Sequence, residues 1–156
     1  LQVKDEEKTE KARKIYKDQF NAITSTPLDK LVDYNIWFSN LASELASPKE
    51  KDLILNRLKE STTLAKKNYE IEKNSKIATL SSGTEYVLQL NMYAKTLFTF
   101  GKKEQAFETM TIAVNVVREK RVSEIISREV VFKYIQLLEM QNRTEEAKSI
   151  GKEFNF

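Results

Sequence analysis

The side chains that could carry out catalysis in this chain are carboxylates, lysines and tyrosines, because the sequence contains no histidine and no cysteine. This absence excludes thiol chemistry, thiolate metal sites and every Ser–His or Cys–His arrangement. A carboxylate enzyme would need two titratable groups that share a pocket and have separated pKa values. The acidic pairs lie instead on faces that also carry lysines, which is typical of surface ion pairing. These pairs are Glu7 with Glu10, Glu104 with Glu108, and Glu145 with Glu146. We expect no enzymatic activity, no cofactor and no metal site.

The charge pattern also argues against nucleic-acid binding, although the sequence pI is about 8.9. The 26 basic and 23 acidic residues are interleaved, and no run of five like charges occurs. A nucleic-acid surface would need clustered basic residues among exposed aromatic rings. The aromatic residues have helical core spacing instead: Tyr16, Trp37, Tyr86 and Tyr93. The longest apolar runs fall well short of the ~20 residues that span a bilayer. We therefore predict neither a nucleic-acid partner nor a membrane span.

Length and composition predict a single all-α domain over residues 1–156. A chain of this size buries roughly two-thirds of its surface when it folds. Three glycines and two prolines are too few for a turn-rich chain, and no stretch shows the sustained alternation of a strand. Apolar residues at three- and four-residue steps predict about seven helices. Their approximate bounds are 4–22, 26–46, 48–68, 82–100, 103–120, 123–140 and 144–154.

Three helix starts have recognisable capping residues. Thr26 followed by Pro27 favours an N-terminus there, because proline fits the first helical position. Ser47 with Glu50, and Ser82 with Glu85, each match a capping box. The second and third helices are then expected to form an antiparallel hairpin. Residues 71–82 are the least periodic stretch and are predicted to form a long connection, either a binding loop or a spacer.

Small residues recur in the C-terminal half at positions where two helices would meet. They are Ala94, Gly101, Ala106 and Ala113, with the bulky Leu97 after the first. Helices approach closely only where the facing residues are small. Gly101 is expected to end one helix in a left-handed conformation, and Ala94 and Ala106 to mark the contact with the helix that folds back beside it.

With these residues, positions 86–118 resemble a tetratricopeptide repeat, whose pattern is a small residue, a bulky one, a turn and two alanines seven apart. Leu90 takes the usual tryptophan position, and no proline closes the repeat. A poorer copy follows with Leu138, Asn142 and Ala147, while Ile135 and Phe154 replace its small residues. A still looser copy in the second and third helices has Trp37, Ala42, Leu45 and Ala65 as its best matches. Residues 83–156 are thus the best repeat-like part, and residues 1–70 are irregular N-terminal hairpins.

The resemblance implies stacked helical hairpins that form a short right-handed superhelix with a concave binding face. It predicts a non-catalytic interaction or scaffold domain that binds a protein or peptide. The family's inward-facing positions map onto Asn91, Lys95 and Phe98 in the better repeat and onto Phe132, Gln136 and Glu139 in the poorer one. The alternative is a generic antiparallel helical bundle, in which the two phenylalanines are core and the polar residues are surface.

A narrower resemblance concerns the tryptophan-bearing hairpin, the lysine-rich "LAKKNY" and "YAKTLFTFGKKEQAFETMTIAV". Together these are similar to the helical extension beside thioredoxin-fold domains in some bacterial envelope proteins. This resemblance implies an alternative function, which is to position a thiol-disulfide oxidoreductase domain that is absent from this chain. Because the chain begins with Leu1, we expect an upstream segment to have been removed. A processed N-terminus would favour the periplasm or cell envelope, and otherwise the cytoplasm is expected.

Overall fold

The computed structural model describes residues 2–33, 37–75 and 79–156, and these ranges contain helices but no strand. Seven α-helices and one short 3-10 helix account for most of them. The α-helices are α1 (Gln2–Ser25), α2 (Trp37–Leu45), α3 (Pro48–Lys73), α4 (Ser81–Thr99), α5 (Lys103–Arg118), α6 (Glu124–Met140) and α7 (Thr144–Glu153), and the 3-10 helix is Leu28–Asp33. The prediction of an all-α chain is confirmed for the described residues. The side chain of Trp37, and residues 76–78 of the predicted connection, lie outside the described part.

Helix α3 begins with the predicted capping box. The Ser47 hydroxyl accepts a hydrogen bond from the Glu50 amide at 3.2 Å, and the Glu50 carboxylate accepts one from the Ser47 amide at 2.8 Å. Pro48 occupies the first turn, where its missing N–H costs nothing. The helix was predicted to end near residue 68 or somewhat later, and it continues to Lys73, so the connection to α4 is shorter than the predicted 71–82.

The single helix predicted over residues 26–46 was wrong. The Thr26 amide still donates to the Ala22 carbonyl at 2.8 Å, so Thr26 extends the end of α1 instead of capping a new helix. The Lys30 amide then donates to the Pro27 carbonyl at 3.0 Å, which is a 3-10 bond. The Arg57 side chain of α3 donates to the carbonyls of Ile23 and Thr26. This cation satisfies carbonyls at the end of α1 and thereby favours the helix ending there.

The packing of α2 also differs from the predicted hairpin with α3. Helix α2 packs on α1 and α4. Its buried Ser39 hydroxyl lies 3.0 Å from the Thr96 hydroxyl of α4. Phe38 stacks on Tyr16 of α1, with ring centroids 5.5 Å apart. The N-terminal helices therefore assemble around α4 as well as around one another.

Helix α4 starts within one residue of its predicted position, but the predicted capping box of Ser82 and Glu85 is wrong. The helix begins at Ser81 after Leu80, and no side chain caps it. Gly83 is buried in the first turn of α4. A side chain would not fit at this position, because a Cβ atom would lie 2.1 Å from the carbonyl oxygen of Arg121. The connection between α5 and α6 thus crosses the first turn of α4 at backbone contact distance. Thr84 strengthens this contact, because its hydroxyl accepts a hydrogen bond from the Ser123 amide at 2.9 Å.

Helix α4 contributes buried side chains to each of three apolar clusters. Leu90 and Ala94 belong to the C-terminal cluster with α3, α5, α6 and α7. Met92 joins the N-terminal cluster with α1, α2 and α3, and Leu97 packs with Leu55 and Ala106 in the third. Helix α4 packs against α3 and α5 and also contacts α2 and α6. It is therefore the central helix of the fold.

Gln89 is a polar side chain inside this central helix, with only 1% of its surface exposed. Neither its amide nitrogen nor its amide oxygen has a hydrogen-bond partner in the part of the chain that the structure describes. A buried amide without partners loses its hydration free energy without compensation.

We therefore expect Gln89→Leu, which keeps a similar volume, to raise the free energy of unfolding by about 1–2 kcal/mol. Denaturant unfolding of the variant beside the parent chain measures this. Thr96→Val is the contrasting substitution, because the buried Thr96 hydroxyl bonds to the Met92 carbonyl and to the Ser39 hydroxyl. Loss of these bonds should lower the free energy of unfolding. A lower stability of Gln89→Leu would contradict the expectation.

Candidate functional site

Helices α4 and α6 each end with a turn of the same type. Gly101 has φ 83°, which is the predicted left-handed conformation, and Asn142 has φ 59° and adopts the same conformation. After α4, the Gly101 amide donates to the Phe98 carbonyl at 3.0 Å and the Lys102 amide to the Leu97 carbonyl at 2.8 Å. The corresponding bonds after α6 are Asn142 to Glu139 and Arg143 to Leu138, both 2.9 Å. These are Schellman motifs, and each directs the chain into the following helix.

The small residues lie where the paired helices approach. Ala106 of α5 and Ala147 of α7 each come five positions after the left-handed residue, and both are buried. Ala94 and Ala113 are also buried, within the C-terminal cluster. Helix α4 packs on α5, α6 packs on α7, and α6 also contacts both α5 and α4. Helices α4 and α6, which are the first helices of the two pairs, are therefore neighbours.

A groove lies between α4 and α6, and the empty space over its lining, open solvent included, is roughly 580 Å3. Its lining is mostly apolar, with two amides and two lysines. Its lining residues are Asn91, Ala94, Lys95 and Phe98 of α4, Met110 of α5, and Lys133, Gln136, Leu137 and Met140 of α6. We call this feature the α4–α6 groove.

Four of the six predicted site residues line the α4–α6 groove, namely Asn91, Lys95, Phe98 and Gln136. The other two, Phe132 and Glu139, do not. Phe132 stacks instead on Phe156, with ring centroids 6.4 Å apart, and Glu139 is exposed to solvent.

The prediction missed three lining residues of α6: Lys133, Leu137 and Met140. Their three- and four-residue steps, taken together with Gln136, place them on one face of the helix. The periodicity in the sequence shows that these residues share a face, but not which neighbouring helix that face contacts. The repeat pattern predicts a different register for α6.

The charged residues of the groove are both cationic. Burial lowers the pKa of Lys95, and the nearby Lys133 lowers it further. Lys133 is paired within its own helix, since its ammonium lies 2.5 Å from a carboxylate oxygen of Glu129. Among the described residues, the Lys95 ammonium has no acidic partner. A third cation is close, because the Lys103 ammonium lies 5.8 Å from the centroid of the Phe98 ring.

The described ranges contain no cluster of three or more acidic side chains that would hold a metal ion. Over the same ranges, no helix is both long and apolar enough to cross a bilayer.

No family model, no curated protein and no solved structure matches this chain.

Proposed function

We propose that this chain is a non-catalytic interaction domain that binds a peptide segment in the α4–α6 groove. The observation that carries the proposal is the meeting of four predicted contact residues in one apolar depression. A ligand pocket is generally concave and mostly apolar, with a few polar groups that orient the ligand. The α4–α6 groove has this character, because Asn91 and Gln136 provide amides beside Phe98, Leu137 and Met140.

We also propose that the helices are arranged like tetratricopeptide repeats, with α4 and α6 as inner helices. The support comes from three features of the fold. The pairs α4–α5 and α6–α7 are successive, α6 contacts both helices of the preceding pair, and Gly101 and Asn142 end the two inner helices with the same motif. In such arrays the inner helices line the concave binding face.

The ligand in this proposal is a segment with a bulky apolar side chain. Met140 is 67% exposed and flanks the groove, while Ala94 leaves space between the two helices. Desolvation of Met140 and of the apolar side chain of the ligand would supply most of the binding free energy. The segment belongs either to a separate protein or, in the alternative retained from the sequence, to a thioredoxin-fold domain joined to this chain.

Peptide binding is the direct test of this function. Peptides selected from a random phage-displayed library against the folded chain are expected to lose affinity about tenfold or more with Phe98→Ala or Met140→Ala. Isothermal titration calorimetry with the selected peptides measures the change. Met140→Ala is the more informative variant, because Met140 is largely exposed and its loss does not disturb the buried clusters.

Ile125→Ala is the matched control for Met140→Ala. Ile125 lies on the same helix, is 80% exposed and does not line the groove, so its replacement should leave affinity within twofold. Selection of no peptide, or equal binding by the Met140→Ala variant and the parent chain, would contradict the proposed function.

A further inference from the structure

The charge of the α4–α6 groove restricts the chemistry of its ligand. Of the residues that line it, Lys95 and Lys133 carry positive charge and none carries negative charge. Lys95 is only partly exposed and, within the described ranges, has no acidic partner. A partly desolvated ammonium among apolar side chains interacts more strongly with an anion than one in bulk water. The groove therefore favours a ligand that brings a negatively charged group to Lys95.

On the basis of the proposed function, we infer that the α4–α6 groove recognises an acidic side chain, Asp or Glu, within an apolar peptide segment. The carboxylate would pair with Lys95, and the adjacent apolar side chain would contact Phe98, Leu137 and Met140. Lys133 is already paired with Glu129, so it contributes mainly through the positive potential at the groove. Charge complementarity of this kind selects partners by excluding basic segments.

The amides favour an acidic residue inside a segment over a free chain end. Asn91 lies one turn before Lys95 on α4, and Gln136 lies one turn after Lys133 on α6. Each amide has both a donor and an acceptor, which matches the N–H and C=O groups of a peptide backbone. Gln136 is exposed, whereas Asn91 is 8% exposed and meets the groove with a small part of its surface. A chain that continues past the carboxylate in both directions would use these groups, whereas a terminal carboxylate would use them on one side only.

The test uses twelve-residue peptides from the phage selection, synthesised with acetylated and amidated ends so that only side chains carry charge. We expect Asp or Glu to be enriched next to Leu, Met or Phe. Replacing that acidic residue by its amide should weaken binding about tenfold. The same replacement should change affinity less than twofold when the protein carries Lys95→Met, because the cation that the carboxylate contacts is then absent.

Lys148→Met is the control for the loss of one positive charge. Lys148 is an exposed residue of α7 that pairs with Glu145 and lies outside the groove. Its substitution should leave the acid-to-amide effect on peptide affinity at about tenfold.

The two proposals fail in different ways. Absence of acidic enrichment, or an acid-to-amide effect below twofold with the parent chain, would overturn the acidic ligand while Met140→Ala still weakens binding. Binding that Met140→Ala leaves unchanged would overturn the groove itself, and with it the acidic ligand.

Discussion

Gly83→Ala is expected to lower the free energy of unfolding by about 1–3 kcal/mol, the usual cost of overpacking. In an exposed helix the same substitution stabilises, because alanine has the better helix propensity by about 1 kcal/mol. At Gly83 the new Cβ would lie 2.1 Å from the Arg121 carbonyl oxygen and 3.3 Å from the Tyr69 ring. Because the nearest atom belongs to the backbone, the connection between α5 and α6 must move away from α4. Urea denaturation followed by circular dichroism measures the loss.

Gly151→Ala is the matched control, since Gly151 also lies within an α-helix. Its nearest neighbour, the Phe156 carbonyl oxygen, would be 3.9 Å from the added Cβ, which is ordinary contact distance. This variant should therefore be neutral or more stable by up to about 1 kcal/mol. Equal effects of the two substitutions would contradict the close approach of Arg121 to α4.

Phe38→Ala is expected to cost about 3–5 kcal/mol, the usual range for removing a buried aromatic side chain. The Phe38 side chain is 2% exposed and stacks on Tyr16 with an interplanar angle of 4°. Its cluster also contains Ile23, Ile54 and Met92. The cavity would thus weaken contacts among α1, α2, α3 and α4 together. Thermal and urea unfolding of the variant measure this cost.

Phe132→Ala makes the same chemical change at a site that is 49% exposed. The substitution removes the stacking contact with Phe156 but leaves no enclosed cavity. We therefore expect the free energy of unfolding to fall by about 1 kcal/mol or less. A generic loss of aromatic area would give similar effects at both positions. Similar values would therefore contradict the enclosed packing of Phe38 among α1, α2, α3 and α4.

The parts of the fold that could be predicted from the sequence depend on neighbouring residues. The capping box of Ser47 and Glu50 uses groups three positions apart, and its geometry is the predicted one. The amides of Gly101 and Asn142 bond to carbonyls three positions earlier, and the amides of the next residues, Lys102 and Arg143, bond to carbonyls five positions earlier. Such interactions are encoded within one turn of helix, so they can be inferred without knowing the rest of the structure.

The incorrect predictions involve partners that are distant in sequence. Gly83 reads as part of a capping box, yet the carbonyl that requires a glycine there belongs to Arg121. Thr26 and Pro27 read as a helix start, yet Arg57 binds the carbonyls of Ile23 and Thr26 at the end of α1. Local pattern cannot reveal either partner, because tertiary contacts override the intrinsic preference.

The α4 half of the groove was easier to predict than the α6 half. Asn91 and Lys95 were selected through the repeat resemblance, and both line the groove. On α6 the match is poorer, since Ile135 stands where the pattern expects a small residue, and the mapping selected Phe132 and Glu139 outside the groove. Lys133 and Met140 required knowledge of how α6 is rotated about its axis, which depends on its packing against α4 and α5.

The membership of α4 in all three apolar clusters has a consequence for how binding specificity can diverge during evolution. Asn91 and Lys95 alternate with the core positions Leu90, Ala94 and Leu97, so most changes along this helix also affect folding. The α6 side of the groove tolerates substitution better, because Gln136 and Met140 are exposed and belong to none of the clusters. New preferences for the variable part of a ligand would therefore accumulate on α6, while α4 retains the shared contacts.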